Sequence, residues 1–185
     1  MTAGSGFSYF EQEIETAEAG NLRGELLALF AYWSEIKSDA VGPAWSEFDW
    51  ARVPTDLIKW SGVVDVRADP VDFVYRFWGT ARTYFETRDM TGHSVRDLRP
   101  EVKAEKAFRD YNLVRERKQP IVYHHENVKN FISEGFSYSV LRLPFSSDGR
   151  EVDAIFAVAE FPPAMLRSAY QFYEYERRKK KSPKP

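Results

Sequence analysis

Five segments with the composition of β-strands, two before and three after a helical stretch, constrain the fold more than any other feature of this sequence. They span residues 63–67, 71–78, 120–128, 136–145 and 151–161, and they are rich in β-branched and aromatic side chains. Between the second and third segments, residues 80–117 carry apolar side chains at helical spacing. This order predicts an α+β domain built on a five-stranded antiparallel sheet with helices on one face.

Further helices are predicted outside the sheet segments. Residues 7–18 have apolar side chains at helical spacing after a capping box of Ser8 and Glu11, which predicts a short amphipathic helix. A stronger stripe predicts a helix over residues 22–36, Pro54 can begin a short one, and a terminal helix is expected after Pro163. In the segment at 71–78, both alternating faces carry apolar side chains, so both faces of the sheet are expected to be covered.

Composition excludes several classes of function. The chain has 185 residues, no cysteine and a formal charge of −2, so disulfides, thiolate metal sites and a surface built for nucleic acid are not expected. No stretch approaches the roughly 18 apolar residues of a membrane span, and the N-terminus does not have the pattern of a signal peptide. We therefore expect a cytoplasmic protein with no transmembrane segment. Six basic residues follow Glu176 as a short cationic tail, which is a solvated end or a weak second contact with anionic surfaces.

Three stretches of the sequence together resemble a known family. Residues 75–80 read Tyr-Arg-Phe-Trp-Gly-Thr, and residues 88–92 read Arg-Asp-Met-Thr-Gly. Residues 141–145 read Leu-Arg-Leu-Pro-Phe, followed by Asp148 and Gly149. In this order and at these spacings, they resemble the stand-alone bacterial PAS-type sensory domains. The resemblance covers about residues 22–161, which leaves residues 1–21 as an N-terminal extension and 162–185 as a C-terminal helix with a basic tail.

A PAS-type domain usually holds a small ligand or cofactor between its helices and the inner face of its sheet, so the resemblance implies a ligand site here. The residues expected to line it are Tyr75, Phe77, Tyr84, Phe85, His93, Phe108, Tyr111, Tyr123, His125 and Tyr138. So many phenols are unusual for a plain core, because each buried hydroxyl needs a partner that a ligand or a water could supply. A flavin–cysteinyl adduct is excluded, and the helix at 100–117 has no histidine to serve as a haem ligand. We expect no bound cofactor, although a non-covalent small ligand remains open.

The histidines and mid-strand arginines have simpler interpretations than catalysis. His124 and His125 are adjacent on a strand, so their side chains point to opposite faces and cannot chelate one metal ion. No metal site is expected. His93 follows a turn and lies either at the mouth of the cavity or in an exposed loop. Arg76 and Arg142 are expected to pair with carboxylates such as Asp65 or Asp153 across the sheet.

We expect a non-catalytic sensory or regulatory module that signals through contact with an unidentified protein partner. Residues 1–21 and 162–185 are too short for a kinase, cyclase or DNA-binding domain. The apolar side of residues 7–18 and the outer face of the sheet would be covered by forming a homodimer. One alternative is a cone-shaped α+β isomerase or lyase with His93, Asp97 and His125 as its acid–base residues. Another is an interaction scaffold that binds no ligand.

Overall fold

One antiparallel sheet organises the computed structural model, which describes residues 11–86, 88–128 and 136–181. Its strands are β1 (Glu11–Thr16), β2 (Ser61–Ala68), β3 (Val71–Trp78), β4 (Ile121–Val128), β5 (Phe136–Phe145) and β6 (Ala154–Glu160). They lie in the order β1-β4-β5-β6-β2-β3, and every neighbouring pair is antiparallel. The predicted α+β class is confirmed, and the five predicted strands all form, with β1 added as a sixth.

The helices are α1 (Gly24–Lys37), α2 (Thr55–Ile58), α3 (Thr83–Glu86), α4 (Glu101–Arg117) and α5 (Pro163–Lys181). Short 3-10 turns lie at Trp45–Glu47, Trp50–Arg52, Thr80–Arg82 and Val95–Asp97. None of the helices described here has both the length and the hydrophobicity needed to cross a lipid bilayer.

A first hydrophobic core lies between α1 and one face of the sheet, which we call the α1 face. Leu29 and Trp33 of α1 are at most 1% exposed, and the indole N–H of Trp33 donates to the carbonyl of Pro144 at 2.9 Å. They pack in one cluster with sheet residues that include Val63, Leu141, Leu143, Phe145 and Phe156. This is the sheet face that we expected a second copy of the chain to cover. The prediction that a homodimer covers this face is wrong, because the chain covers it with its own helix α1.

A second core lies on the opposite side, which we call the α4 face. Tyr111 and Val114 of α4 are at most 1% exposed, and they cluster with Phe73, Tyr75 and Ile155 of the sheet. Tyr111 is stacked on Phe73, with 5.5 Å between the ring centroids. Both faces of the sheet are therefore covered, as the two-sided apolar pattern of β3 predicts.

The helix predicted over residues 7–18 is wrong where the structure describes it. Residues 11–16 form β1, which pairs along the edge of β4 from Glu11 opposite Glu126 to Thr16 opposite Ile121. A lone short helix gains little in water, whereas the open edge of β4 offers backbone hydrogen-bonding groups that β1 satisfies. Residues 7–10 of the predicted helix lie outside the described residues.

An irregularity in β3 changes which of its side chains face the two cores. Val63 of β2 is opposite Phe77, but the next residue, Val64, is opposite Tyr75, so Arg76 is an extra residue on β3. A bulge of this kind interrupts the alternation of side chains. Tyr75 and Trp78 both pack with the α4 face, and Phe77 packs with the α1 face.

Gly79, the residue after β3, lies where two backbone segments approach each other closely. Gly79 has φ −60°, which any residue can adopt, but a Cβ there would lie 2.4 Å from the carbonyl oxygen of Lys59. Gly79 is therefore required for close backbone approach and not for a sharp turn. Thr80 begins the 3-10 turn that follows, and no side chain caps this helical start. Gly92 has φ +81°, a left-handed conformation that glycine adopts without strain.

Candidate functional site

A cavity of about 150 Å³ lies between α4 and the α4 face of the sheet. Elements from the whole domain contribute to its wall, including β3, α3, α4, β5, β6 and the start of α5. Six aromatic side chains line it: Trp60, Tyr75, Trp78, Tyr111, Tyr138 and Phe161. Six charged side chains line it as well: Arg82, Glu86, Lys103, Lys106, Asp110 and Arg142. Small side chains of β6, including Ala157 and Ala159, leave the space that the cavity occupies.

Asp110 of α4 is the centre of a buried ion cluster. One of its carboxylate oxygens accepts from Lys106 Nζ at 2.6 Å and lies 3.2 Å from Nη1 of Arg142. Asp110 and Arg142 are each only 8% exposed. The Tyr123 hydroxyl donates to the backbone carbonyl of Asp110 at 2.8 Å, which fixes this turn of α4 against β4. Arg142 therefore pairs with Asp110, and the predicted partner Asp153 instead accepts from the backbone N–H of Ser147.

Arg142 is enclosed by aromatic rings as well as by the carboxylate. Its guanidinium carbon lies 4.7 Å from the Tyr111 ring centroid and 4.5 Å from that of Tyr123. Burial alone lowers the pKa of Arg142, but the attraction of Asp110 and of the neighbouring tyrosines outweighs it, and the pKa is raised. The guanidinium therefore keeps its charge inside the domain. Burial raises the pKa of Tyr123 to about 12, so its hydroxyl stays protonated and available as a donor.

Arg82 supplies a second guanidinium at the cavity wall. Its guanidinium carbon lies 4.2 Å from the Trp78 ring centroid, and its Nη1 lies 3.5 Å from the carbonyl oxygen of Trp60. Gly62 on β2 leaves room for this group, since a Cβ at Gly62 would lie 3.3 Å from it. Among the described residues, no carboxylate lies within ion-pairing distance of Arg82, whereas Glu86 pairs with Lys103.

Three buried N–H donors at the cavity have no hydrogen-bond partner among the described residues. They are Nε1 of Trp78, Nε of Arg82 and Nε of Arg142. Buried polar atoms in proteins are nearly always hydrogen-bonded, and leaving one unpaired costs about 1–3 kcal/mol. A hydrogen-bond acceptor placed in the cavity would remove this cost.

His125 lies on the wall in its neutral form. It is 3% exposed, and its imidazole is stacked on Tyr138 with 4.7 Å between ring centroids. Burial, followed by the positive charges of Lys106 and Arg142, lowers the pKa of His125 to about 3. At neutral pH it adds no charge to the cavity.

Four of the residues that the sequence predicts for a ligand site line this cavity: Tyr75, Tyr111, His125 and Tyr138. Tyr123 is fully buried behind the wall, where it supports Asp110 and Arg142. Phe108 packs in the α4-face core without lining the cavity, with 5.3 Å between its ring centroid and that of Phe73.

Three further predicted residues, Phe77, Tyr84 and His93, do not line the cavity. Phe77 faces the α1 core because of the bulge at Arg76, and its ring lies 4.9 Å from that of Trp50. Tyr84 packs between α3 and α5, with ring centroids 5.7 Å from Tyr170 and 5.2 Å from Tyr173. The side chain of Phe85 lies outside the described part of the structure.

His93 is in an exposed turn, where its Nδ1 lies 3.8 Å from a carboxylate oxygen of Asp97. The acid–base trio of the alternative enzyme is therefore not assembled, because His93 and Asp97 are at the surface and His125 is in the cavity.

Sequence reasoning missed most of the charged wall. Lys103, Lys106 and Asp110 recur at helical spacing beside the apolar stripe of α4, and this is the one signal that could have placed them facing the sheet. Trp78 was missed because regular alternation would place Trp78 and Tyr75 on opposite faces of the sheet. The bulge at Arg76 places both side chains on the α4 face.

The adjacent histidines point to opposite faces, as the strand alternation predicts. His125 lines the cavity, while His124 lies 2.8 Å from the Ser139 hydroxyl and 3.8 Å from a carboxylate oxygen of Glu15. Within the described parts of the chain, no three histidine or acidic side chains are grouped so that they could hold a metal ion.

A comparison with family models gives evidence about the family of this domain that is independent of the strand order. The model of the PAS domain matches residues 24–159, which is most of the chain. The chain belongs to the PAS domain family. No curated protein and no solved structure is similar enough to count as a match. PAS domains are sensory and regulatory modules that are generally non-catalytic, and they commonly mediate dimerisation and partner contacts.

Proposed function

We propose that this PAS domain binds a small ligand non-covalently in the cavity beneath α4 and passes the signal on through contact with another protein. The observation that supports the proposal is the cavity itself, which is bordered by aromatic rings and by buried N–H donors that have no hydrogen-bond partner in the described part of the chain. Pockets with mostly apolar walls and a few converging polar groups are typical of ligand sites. The chain has no cysteine, so a ligand cannot be attached through a thiol.

The cavity wall connects to helices that reach the surface. Glu86 of α3 and Lys103 of α4 form an ion pair at the wall, and Met165 of α5, which is 1% exposed, also lines it. A ligand that prefers one arrangement of these helices would shift the population toward that arrangement.

Helix α5 is the surface on which we propose that a partner senses this shift. Tyr170 and Tyr175 are 50% and 61% exposed there, and Tyr170 also contacts Tyr84 of α3. A second copy of the chain is one candidate partner, since PAS domains commonly dimerise. Sedimentation of the full chain beside its Tyr175→Glu variant tests this part, because equal masses would exclude a dimer through α5.

A cavity-filling substitution tests ligand binding. Ala159 of β6 lines the cavity and is 7% exposed, so Ala159→Leu places extra carbon in the space that a ligand needs. The matched control is Ala164→Leu, because Ala164 is exposed at the start of α5. Native mass spectrometry of freshly purified protein and thermal shift across a metabolite panel are the measurements.

For the unmodified chain and for Ala164→Leu, we expect a native mass above that of the bare protein or thermal stabilisation by a metabolite. For Ala159→Leu we expect neither. A bare mass together with no stabilisation by any metabolite would refute ligand binding and favour the scaffold alternative.

A further inference from the structure

Cations outnumber carboxylates at the cavity. Among the described residues that line the cavity, Arg82, Lys103, Lys106 and Arg142 are accompanied by two carboxylates, Glu86 and Asp110, so the cations exceed the carboxylates by two. Glu86 is used by Lys103, and one oxygen of Asp110 is shared between Lys106 and Arg142. Arg82 has no carboxylate within ion-pairing distance in the described part of the chain. Buried charge without compensation is costly, so this wall favours an anionic occupant.

The unpartnered groups point to the same class of ligand. The atoms concerned, on Trp78, Arg82 and Arg142, are all N–H donors, and two of these side chains are more than nine-tenths buried. The guanidinium carbon of Arg82 lies 6.0 Å from the Tyr75 ring centroid, and that of Arg142 lies 4.7 Å from the Tyr111 ring centroid. The two tyrosine rings are neighbours, with 6.4 Å between their centroids. A ligand satisfies such a set only through acceptor atoms, and a charged acceptor does so most strongly.

The rest of the wall favours an organic ligand over an inorganic ion. Tyr138 and Phe161 are in contact, with 4.8 Å between ring centroids, and Trp60 lies 5.2 Å from Phe161. Together with Met165 they form an apolar part of the lining. The volume of about 150 Å³ is similar to that of an engineered cavity that holds benzene.

From these observations we infer that the cavity binds a small organic carboxylate, with its oxygens on the donors of Arg82, Arg142 and Trp78 and its apolar part against the aromatic wall. The inference rests on the proposed function, since it names the ligand class of the same cavity. Inorganic phosphate offers similar oxygens but no apolar part, and it is one arm of the test.

The test is calorimetric titration of the full chain with propionate, 3-methylbutanoate and benzoate, each beside its neutral amide, and with inorganic phosphate. We expect at least one carboxylate to bind about 10-fold or more tightly than its amide, since a charged hydrogen bond contributes about 1.4 kcal/mol or more. Phosphate should bind more weakly than the best carboxylate.

Two variants locate the binding oxygens without disturbing the Asp110 cluster. Arg82→Gln removes the guanidinium that has no carboxylate partner, and Trp78→Phe removes one N–H while keeping an aromatic ring. We expect a loss of about 10- to 100-fold in carboxylate affinity for the first and a smaller loss for the second. The control is Arg76→Gln on the same strand as Trp78, because Arg76 pairs with Asp65 and does not line the cavity.

Each result bears on the inference separately from the proposed function. Amides that bind as tightly as carboxylates, or a neutral metabolite found as the bound mass, would overturn the carboxylate assignment and leave the ligand site standing. Phosphate that binds as tightly as the best carboxylate would overturn the inference that the ligand is an organic molecule. No binding of any carboxylate in the millimolar range would also overturn the inference, and a bare native mass in addition would remove the proposed function.

Discussion

His125 should make the free energy of unfolding depend on pH in a defined window. Its imidazole is buried on β4 against Tyr138, and it faces the charged groups Lys106 and Asp110 of α4 and Arg142 of β5. In the folded protein its pKa is about 3, while an unperturbed histidine has 6.5. Between these values the unfolded chain binds a proton that the folded chain does not, so acid favours unfolding. The stabilisation is complete above pH 6.5 and is lost progressively as the pH falls toward 3.

The magnitude follows from the difference between the two pKa values. Within the window each pH unit changes the free energy of unfolding by at most about 1.4 kcal/mol. Near pH 6.5 the slope is only partial, so the loss between pH 7.5 and 5.0 is about 2 kcal/mol. The measurement is urea unfolding at both pH values for the unmodified chain and for His125→Gln. Carboxylates contribute to both proteins, so the difference between their two pH responses isolates His125.

We expect the unmodified chain to lose about 2 kcal/mol more than His125→Gln over this interval. His124→Gln is the matched control, because His124 is adjacent but lies on the other face, and it should keep the full pH response. A carbon–proton NMR titration of the unmodified chain gives a second measurement, in which the His125 signals should not move between pH 7.5 and 5.0. Equal pH responses of the unmodified chain and His125→Gln, or an NMR midpoint near 6.5, would refute the reasoning.

Two further stability predictions concern the close backbone approach at Gly79 and the indole hydrogen bond of Trp33. Gly79→Ala places a Cβ 2.4 Å from the carbonyl oxygen of Lys59, and it should destabilise by about 1–3 kcal/mol or more in urea unfolding. Gly20→Ala, with nothing within 4 Å, should change stability little, and an equal loss in both variants would contradict the steric argument. Trp33→Phe leaves the carbonyl of Pro144 without its indole donor, at a cost of about 1–3 kcal/mol. Unchanged unfolding would show that this hydrogen bond contributes nothing to stability.

The regular elements of this domain could be predicted because each one carries its own periodicity. Alternation over residues 71–78 and the stripe of α4 are local patterns, and β3 and α4 form within one residue of the predicted bounds. β1 could not be predicted in this way. Glu11–Thr16 is compatible with a helix by local preference, and it becomes a strand because a distant segment, β4, offers an open edge.

The site was less predictable than the fold because its geometry depends on pairs of residues far apart in the chain. The sequence predicts that Arg142, a charged residue within an apolar strand, pairs with a carboxylate across the sheet. Its partner is Asp110, which is 32 residues away on a helix. The bulge at Arg76 has no local signature in the sequence, yet it decides that Trp78 and not Phe77 reaches the cavity. Backbone irregularities of this kind change every face assignment that follows them.

The acidic composition of β1 has a consequence for how copies of this protein behave when crowded together. Glu11, Glu13 and Glu15 alternate with other residues along this outermost strand. Two such borders meeting side by side in antiparallel register would bring like charges across the junction, which opposes end-to-end polymerisation through the sheet. The segment that closes β4 thus also opposes growth of the sheet at this edge.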